Sequence, residues 1–438
     1  MTTDQNKSSV SADDQNVNEN SDEKLMTRQT KYGKIPITVW QIGAMMFLMN
    51  ISFVMTYSFA GPYLKHIIGA SMVGIGVLEG LCETVSYIMK LVSGILSDFF
   101  QKRKKIMVIG LIFSVISRPI LAISTSFLLV FSAKAMERIG NGIQSTPRDA
   151  IVADVAPRKR IGASYGLKRS LAYIGSMIGA VAGIIAMKMT GNNYQKVFAI
   201  AAIPAVAAFL ILVFFIKEPK RFNHPAITSE APMPPPKLKP KFSLENFKYL
   251  GTSFWILMIV NSIYMLAKMN ETFLILRMDE GFQIDPAYAP LVMIVFNLGA
   301  TLASYPVGLL GDKLNRIKLL FIGIAFLMVS DIIMYSATTA VTMYTGIVFW
   351  GLQIGVTQNV FVSMIAEKVP EDLRGTGLGV FYLVSALSAF FADFIAGHVS
   401  NSFSSNHIFI SSGLIGLVAL LALAMVSNII SPTVSRKR

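Results

Sequence analysis

The residues of this chain that can do chemistry are few, and most stand inside stretches that otherwise carry no charge. Glu79, Glu83 and Lys90 are spaced four and then seven residues apart, so a helix brings all three to one face. Arg118 and Arg138 are isolated bases in apolar surroundings, and Lys268, Asn270 and Glu271 form a compact polar group further on. Asp331 and Asp393 are lone acids. A charge at mid-membrane costs about 2.5–3.5 kcal/mol, so each of these groups needs a partner or a wet cavity. An acid so placed can carry a proton, because burial disfavours its charged form. A base beside it neutralises it or holds a ligand. Asn297, Gln353, Gln358 and Asn359 are neutral groups suited to orienting a polar ligand, or to bonding a neighbouring helix. Other chemistries have no support. Cys82 is a single cysteine, and His66, His224, His398 and His407 lie near loops without a clustered acid or nucleophile. That pattern speaks against disulfides, a zinc site or an enzyme. No Gly-x-x-x-x-Gly-Lys-Ser/Thr occurs, so ATP hydrolysis is unsupported and no cofactor or metal is expected.

The elements that must position these residues are membrane helices. Of 438 residues, 53% are hydrophobic and 15% charged, with a mean hydropathy of +0.57. Too little polar surface remains to cover water-soluble domains. Ile35 to Leu64, Ser170 to Met187, Val197 to Ile216, Pro286 to Gly311 and Ile332 to Ala366 contain no Asp, Glu, Lys or Arg. A span needs about 20 apolar residues, and the alternation of a β-barrel is absent. We place twelve spans, at about 36–60, 71–97, 106–126, 128–153, 163–188, 196–217, 249–275, 287–311, 318–338, 340–366, 376–399 and 406–431. The expected architecture is all-α: a disordered tail (1–34), a six-helix bundle (35–217), a Pro-rich linker (218–248), a second six-helix bundle (249–431) and a basic tail (432–438). The net charge of +14 does not point to nucleic acid, because the bases lie between spans rather than on one soluble face. Most of the 39 Lys and Arg fall in the tails and after spans 2, 4, 6, 8 and 10, with Lys65, Lys188, Lys196 and Arg277 opposite. The positive-inside rule then puts both termini in the cytoplasm.

The two halves echo each other at an offset of about 213 residues, the mark of a repeat about an axis along the membrane normal. Ala153-Asp-Val-Ala-Pro157 with Gly162 and Gly166 matches Ala366-Glu-Lys-Val-Pro370 with Gly375 and Gly379, and Gly142 falls on Gly355. Gly94-Ile-Leu-Ser-Asp98, followed by Lys102 and Arg103, matches Gly308-Leu-Leu-Gly-Asp312, followed by Arg316. Each closes a span with an acid and then bases, a contact that can form in one conformation and break in another. These segments resemble the loop signature of the major facilitator superfamily. Gln101, Phe99 and Asn315 depart from it but leave the acid and the base in place. Glu79-Gly80 with Glu83 and Lys90, Arg138-Ile-Gly140-Asn-Gly142 and Pro147-Arg148-Asp149-Ala150 resemble an uncharacterised bacterial branch. Asn141 stands where that branch has Lys, and Ala172 where it has a membrane acid.

The resemblance implies a secondary transporter working by alternating access, in a bacterial inner membrane and as a monomer. Proton coupling through Glu79, Glu83 or Glu271 is the favoured version. The candidate substrate and coupling residues are Glu79, Glu83, Arg138, Lys268, Glu271, Asn297, Gln358 and Asn359. The candidate gating residues are Asp98, Arg103, Pro147, Arg148, Asp149, Asp312 and Arg316, with Pro147 permitting a bend. The resemblance implies that span 3 faces outward, so Arg118 reads as structural. Arg138 and Lys268 lean toward an anionic or zwitterionic small solute. A facilitative, nutrient or siderophore importer, a drug or metabolite exporter, and a non-transporting receptor on the same fold stay open.

Overall fold

In the computed structural model, residues 35–100, 102–156, 161–217, 250–282, 284–310, 315–369 and 374–430 are described. Among these residues, twelve rods cross the molecule. They are α1 (Ile37–Pro62, extended by a π-turn through Tyr63–Ile67), α2 (Met72–Phe100), α3 (Arg103–Ala122), α4 (Phe127–Val155), α5 (Ile161–Met189) and α6 (Tyr194–Ile200, Ala202–Leu210 and Ile211–Phe215). The second half has α7 (Gly251–Ala267, then Glu271–Phe282), α8 (Leu291–Leu310), α9 (Arg316–Tyr335), α10 (Ala340–Lys368), α11 (Arg374–Ser402) and α12 (His407–Ile430). Among the described residues, eleven stretches are long and apolar enough to cross a membrane. The exception is α4, which carries Lys134, Glu137, Arg138, Arg148, Asp149 and Asp154. Such a helix cannot face lipid, so its charges must meet partners inside the protein.

Side-chain caps start several helices where a loop turns back. Ser126 accepts from the Leu129 N–H, Asn193 from Lys196 and Asn315 from Ile317, and Thr339 forms a capping box with Thr342. The second half repeats the pairings of the first. Contacts α1–α5, α3–α4, α2–α4, α1–α6 and α3–α6 reappear as α7–α11, α9–α10, α8–α10, α7–α12 and α9–α12. The halves meet through α2–α11 and its image α5–α8, and through α1 against the second part of α7. The offset read in the sequence recurs as contact near that axis: Tyr57 bonds Asn270 and His66 bonds Asp279, each pair 213 residues apart. Glycines allow α2 and α11 to touch backbone to backbone. A Cβ on Gly80 would lie 3.0 Å from the Phe390 Cα, and one on Gly397 would lie 2.6 Å from the Met72 carbonyl oxygen.

Span 7 departs from the sequence reading. Lys268, Asn270 and Glu271 were expected near its outer end, but the helix restarts at Glu271 and runs on to Phe282. The three residues therefore mark a break well inside the rod. Irregular backbone at such depth is tolerated only where it lines a cavity or is buried in protein.

Candidate functional site

The α7 break is held by side chains from both halves. Asn270 Oδ1 accepts the Thr272 N–H (3.0 Å), which caps the second segment, and also the Tyr57 hydroxyl from α1 (2.6 Å). The backbone N–H of Asn270 donates to Asp393 Oδ1 on α11 (2.7 Å). Glu271 lies 3.3 Å from the Tyr57 hydroxyl. The Thr272 hydroxyl donates to Glu79 Oε1 (2.9 Å), which also takes an ion pair from Lys134. Glu79 on α2 is thereby tied to α4 and, across the halves, to α7.

One face of α4 supplies the partners for the charges on α2 and α3. Lys134 meets Glu79, Glu137 meets Arg118 (2.6 Å), and Arg138 meets Glu83 (3.5 Å). These pairs differ in kind. Glu79 and Arg118 are sealed, at 0% and 1% side-chain exposure, whereas Glu83 keeps 24% and has a longer contact. Ser52 adds a bond to Arg118. Arg138 also lies over the rings of Phe53 and Tyr57. Lys90 stands 4.5 Å over the Tyr87 ring, and Tyr87 stacks on Tyr382 of α11 with ring centroids 6.0 Å apart. The charges of Lys90 and Lys268 both act on the Glu83 carboxylate, and Lys268 also on Glu271. Glu79, Glu83, Arg138, Lys268 and Glu271 are thus brought together where α2, α4, α7 and α11 meet.

The remaining candidates are scattered. Asn297 is buried and donates to the Met293 carbonyl of its own helix. Gln358 accepts from Arg169 across the halves (3.1 Å). The side chain of Asn359 lies outside the described residues, as do that of Asp98 and the whole of Asp312. Of the other gating candidates, Pro147 lies inside α4, Arg103 pairs with Asp154, and Arg316 opens α9. Asp149 is shared by Arg148 (3.5 Å) and Lys168 (2.5 Å). Lys134, Glu137, Tyr57, Thr272, Lys168 and Arg169 escaped the sequence reading as site residues. Lys134 and Glu137 stand four and one residues before Arg138, a cluster that was itself the signal.

A second charged layer lies at the helix ends away from the chain termini. There Lys65 pairs with Glu280, His66 with Asp279 and Lys188 with Asp285, all between the halves. His66 had read as a histidine without an acid; the extra turns of α7 bring Asp279 to it. Asp285 lies between spans, and the hydrogen bond from Lys188, with a second from the Ala287 N–H, holds its carboxyl below the usual carboxylate range.

Comparison with known proteins agrees with this fold. The Major Facilitator Superfamily model matches residues 42–269 and 250–437. An uncharacterized MFS-type transporter of Methanocaldococcus jannaschii is 26% identical over 372 residues, 82% of this chain and 88% of that protein. The gentisate transporter of Corynebacterium glutamicum is 26% identical over 281 residues, 63% of this chain and 62% of that one. A crystal structure of the nucleoside transporter NupG, solved as a point mutant, superposes with a TM-score of 0.73 at 12% identity, covering 89% of this chain and 99% of that one. With its repeated helix pairings, its charged junction between the halves and a family match along nearly its whole length, the chain belongs to the major facilitator superfamily of membrane transporters, whose work is moving a small solute across a bilayer and not enzymatic catalysis.

Proposed function

We propose that this protein is a proton-coupled secondary transporter that moves a small organic solute by alternating access, with both termini in the cytoplasm of a bacterial cell. The observation that carries the reading is the Glu83–Arg138 pair at the junction of the halves. Its 3.5 Å separation and the 24% exposure of Glu83 leave the carboxylate open to solvent and to competition. Glu79 is a poorer proton carrier, because its side chain is fully enclosed between Lys134 and Thr272. A proton on Glu83 frees the cations around it, Arg138 first, and a solute that engages those cations in turn frees Glu83 for the proton. That exchange of partners couples the two without any cofactor.

The ion pairs at the ends away from the termini support a conformation closed on that side, which is the outer side in the proposed orientation. Arg148, Asp149 and Lys168, near the opposite end of the junction, are then the groups that rearrange when the inner side closes. The test is transport in proteoliposomes with an imposed proton gradient. Glu83→Gln is expected to abolish uphill accumulation while exchange of solute for solute continues. Uphill uptake at the parental level by Glu83→Gln would defeat the coupling role of this residue.

A further inference from the structure

We propose that the transported solute is a small organic anion, a carboxylate attached to a flat ring, held between Lys90 on α2 and Lys268 at the α7 break with its ring against the Tyr87–Tyr382 pair. The assignment rests on the transporter reading above and names the chemical class that the same junction takes.

Three observations converge on it. First, neither Lys90 nor Lys268 has a carboxylate oxygen within 4 Å among the described residues, although both stand inside spans where a bare ammonium is costly. Arg118, Lys134 and Arg138, by contrast, are each paired with a carboxylate. Second, the acids at the junction already have partners of their own. Glu79 is held by Lys134, Glu137 by Arg118 and Glu83 by Arg138, Glu271 lies at the Tyr57 hydroxyl, and Asp393 takes the Asn270 N–H. Further along, Arg148 and Lys168 share the one carboxylate of Asp149. A cationic solute adds repulsion here, and a neutral one leaves both lysines as they are. An anion gives both lysines the partner they lack. Third, Tyr87 comes from one half and Tyr382 from the other, at an interplanar angle of 30°, with the Lys90 ammonium over one ring. Aromatic faces beside a cation accept a ring that carries its own negative group. Because Lys90 and Lys268 also belong to opposite halves, one carboxylate bound between them draws the halves together, which is how a solute favours the closed intermediate of an alternating-access cycle.

The experiment uses the purified full-length protein and follows thermal unfolding against ligand concentration. The probes are benzoate and 4-hydroxybenzoate, with acetate, adenosine and tetraphenylphosphonium for comparison. The ring acids are expected to stabilise saturably, and acetate about tenfold more weakly. Lys90→Gln and Lys268→Gln are expected to weaken the ring acids by about tenfold or more each, with Lys268→Arg close to the parent and Tyr382→Leu narrowing the gap between ring acids and acetate. If a glutamine variant does not fold, Lys268→Arg and Tyr382→Leu still decide the matter. No saturable response to either ring acid, or unchanged affinity in the Lys90→Gln/Lys268→Gln double variant, overturns the assignment. Counterflow in proteoliposomes separates the two readings. Exchange of adenosine or of tetraphenylphosphonium without exchange of the ring acids sinks the anion and leaves a transporter standing, whereas exchange of none of the five probes counts against both.

Discussion

At the scale of single residues, the membrane charges fall into pairs that hold and pairs that yield. Arg118 and Glu137 are both at least nine-tenths enclosed, and Ser52 occupies a further donor of the guanidinium. Removing one partner leaves an uncompensated buried charge, which costs about 3–5 kcal/mol, whereas replacing both by apolar side chains is often close to neutral. Arg118→Met should therefore lower the unfolding temperature sharply, and the Arg118→Met/Glu137→Met protein should recover most of the loss, read by thermal unfolding in detergent. A double variant as unstable as the single one would show that the arginine has another task. Which residues would matter was legible here, because a charge in an apolar run announces itself by its cost. Which partner each would take was not. Sequence spacing gives the height of Glu79 in the membrane but not which neighbouring helix faces it, so Lys134 went unnamed.

At the scale of elements, two features decide how the halves approach one another. One is the break in α7. Asn270 followed by Glu271 is a helix-start signal, readable in retrospect, yet the apolar residues on both sides hid it and the span was drawn as one short rod. The other is the glycine track between α2 and α11, where backbone meets backbone at Gly80 and Gly397. The Phe390 backbone atoms near Gly80 cannot step aside as a flexible side chain would. A larger residue there must push the helices apart, and the cost arises only in the conformation where they touch. Gly80→Leu is thus expected to preserve the folded protein but shift its population away from the state closed at the ends opposite the termini. Spin labels on the α1–α2 and α11–α12 loops would report a longer distance than in the parent, and an unchanged distance would mean that the two helices stay in contact through the whole cycle.

At the scale of the whole molecule, the symmetry of the helix pairings makes closure of one end a property of three cross-half ion pairs acting together, Lys65–Glu280, His66–Asp279 and Lys188–Asp285. A carboxyl whose pKa is lowered on forming its contact contributes above its unperturbed pKa and ceases to contribute as pH falls through the lowered value. Asp285 is such a group, because the Lys188 hydrogen bond favours its charged form. Its share of closure is therefore fully present from neutral pH down through the ordinary aspartate range near about 4 and is lost only below it. Acidification of the outer medium within the physiological range should leave this contact intact. Lys188→Glu places like charges together and should open the outer face at every pH above that range, while the exchange Lys188→Glu/Asp285→Lys should close it again. The distance between spin labels on the α5–α6 and α7–α8 loops, followed from pH 7.5 to pH 5, measures both effects. A parent protein that opens within that interval would show that Lys188–Asp285 does not govern the outer face, because this contact persists down to the ordinary aspartate range.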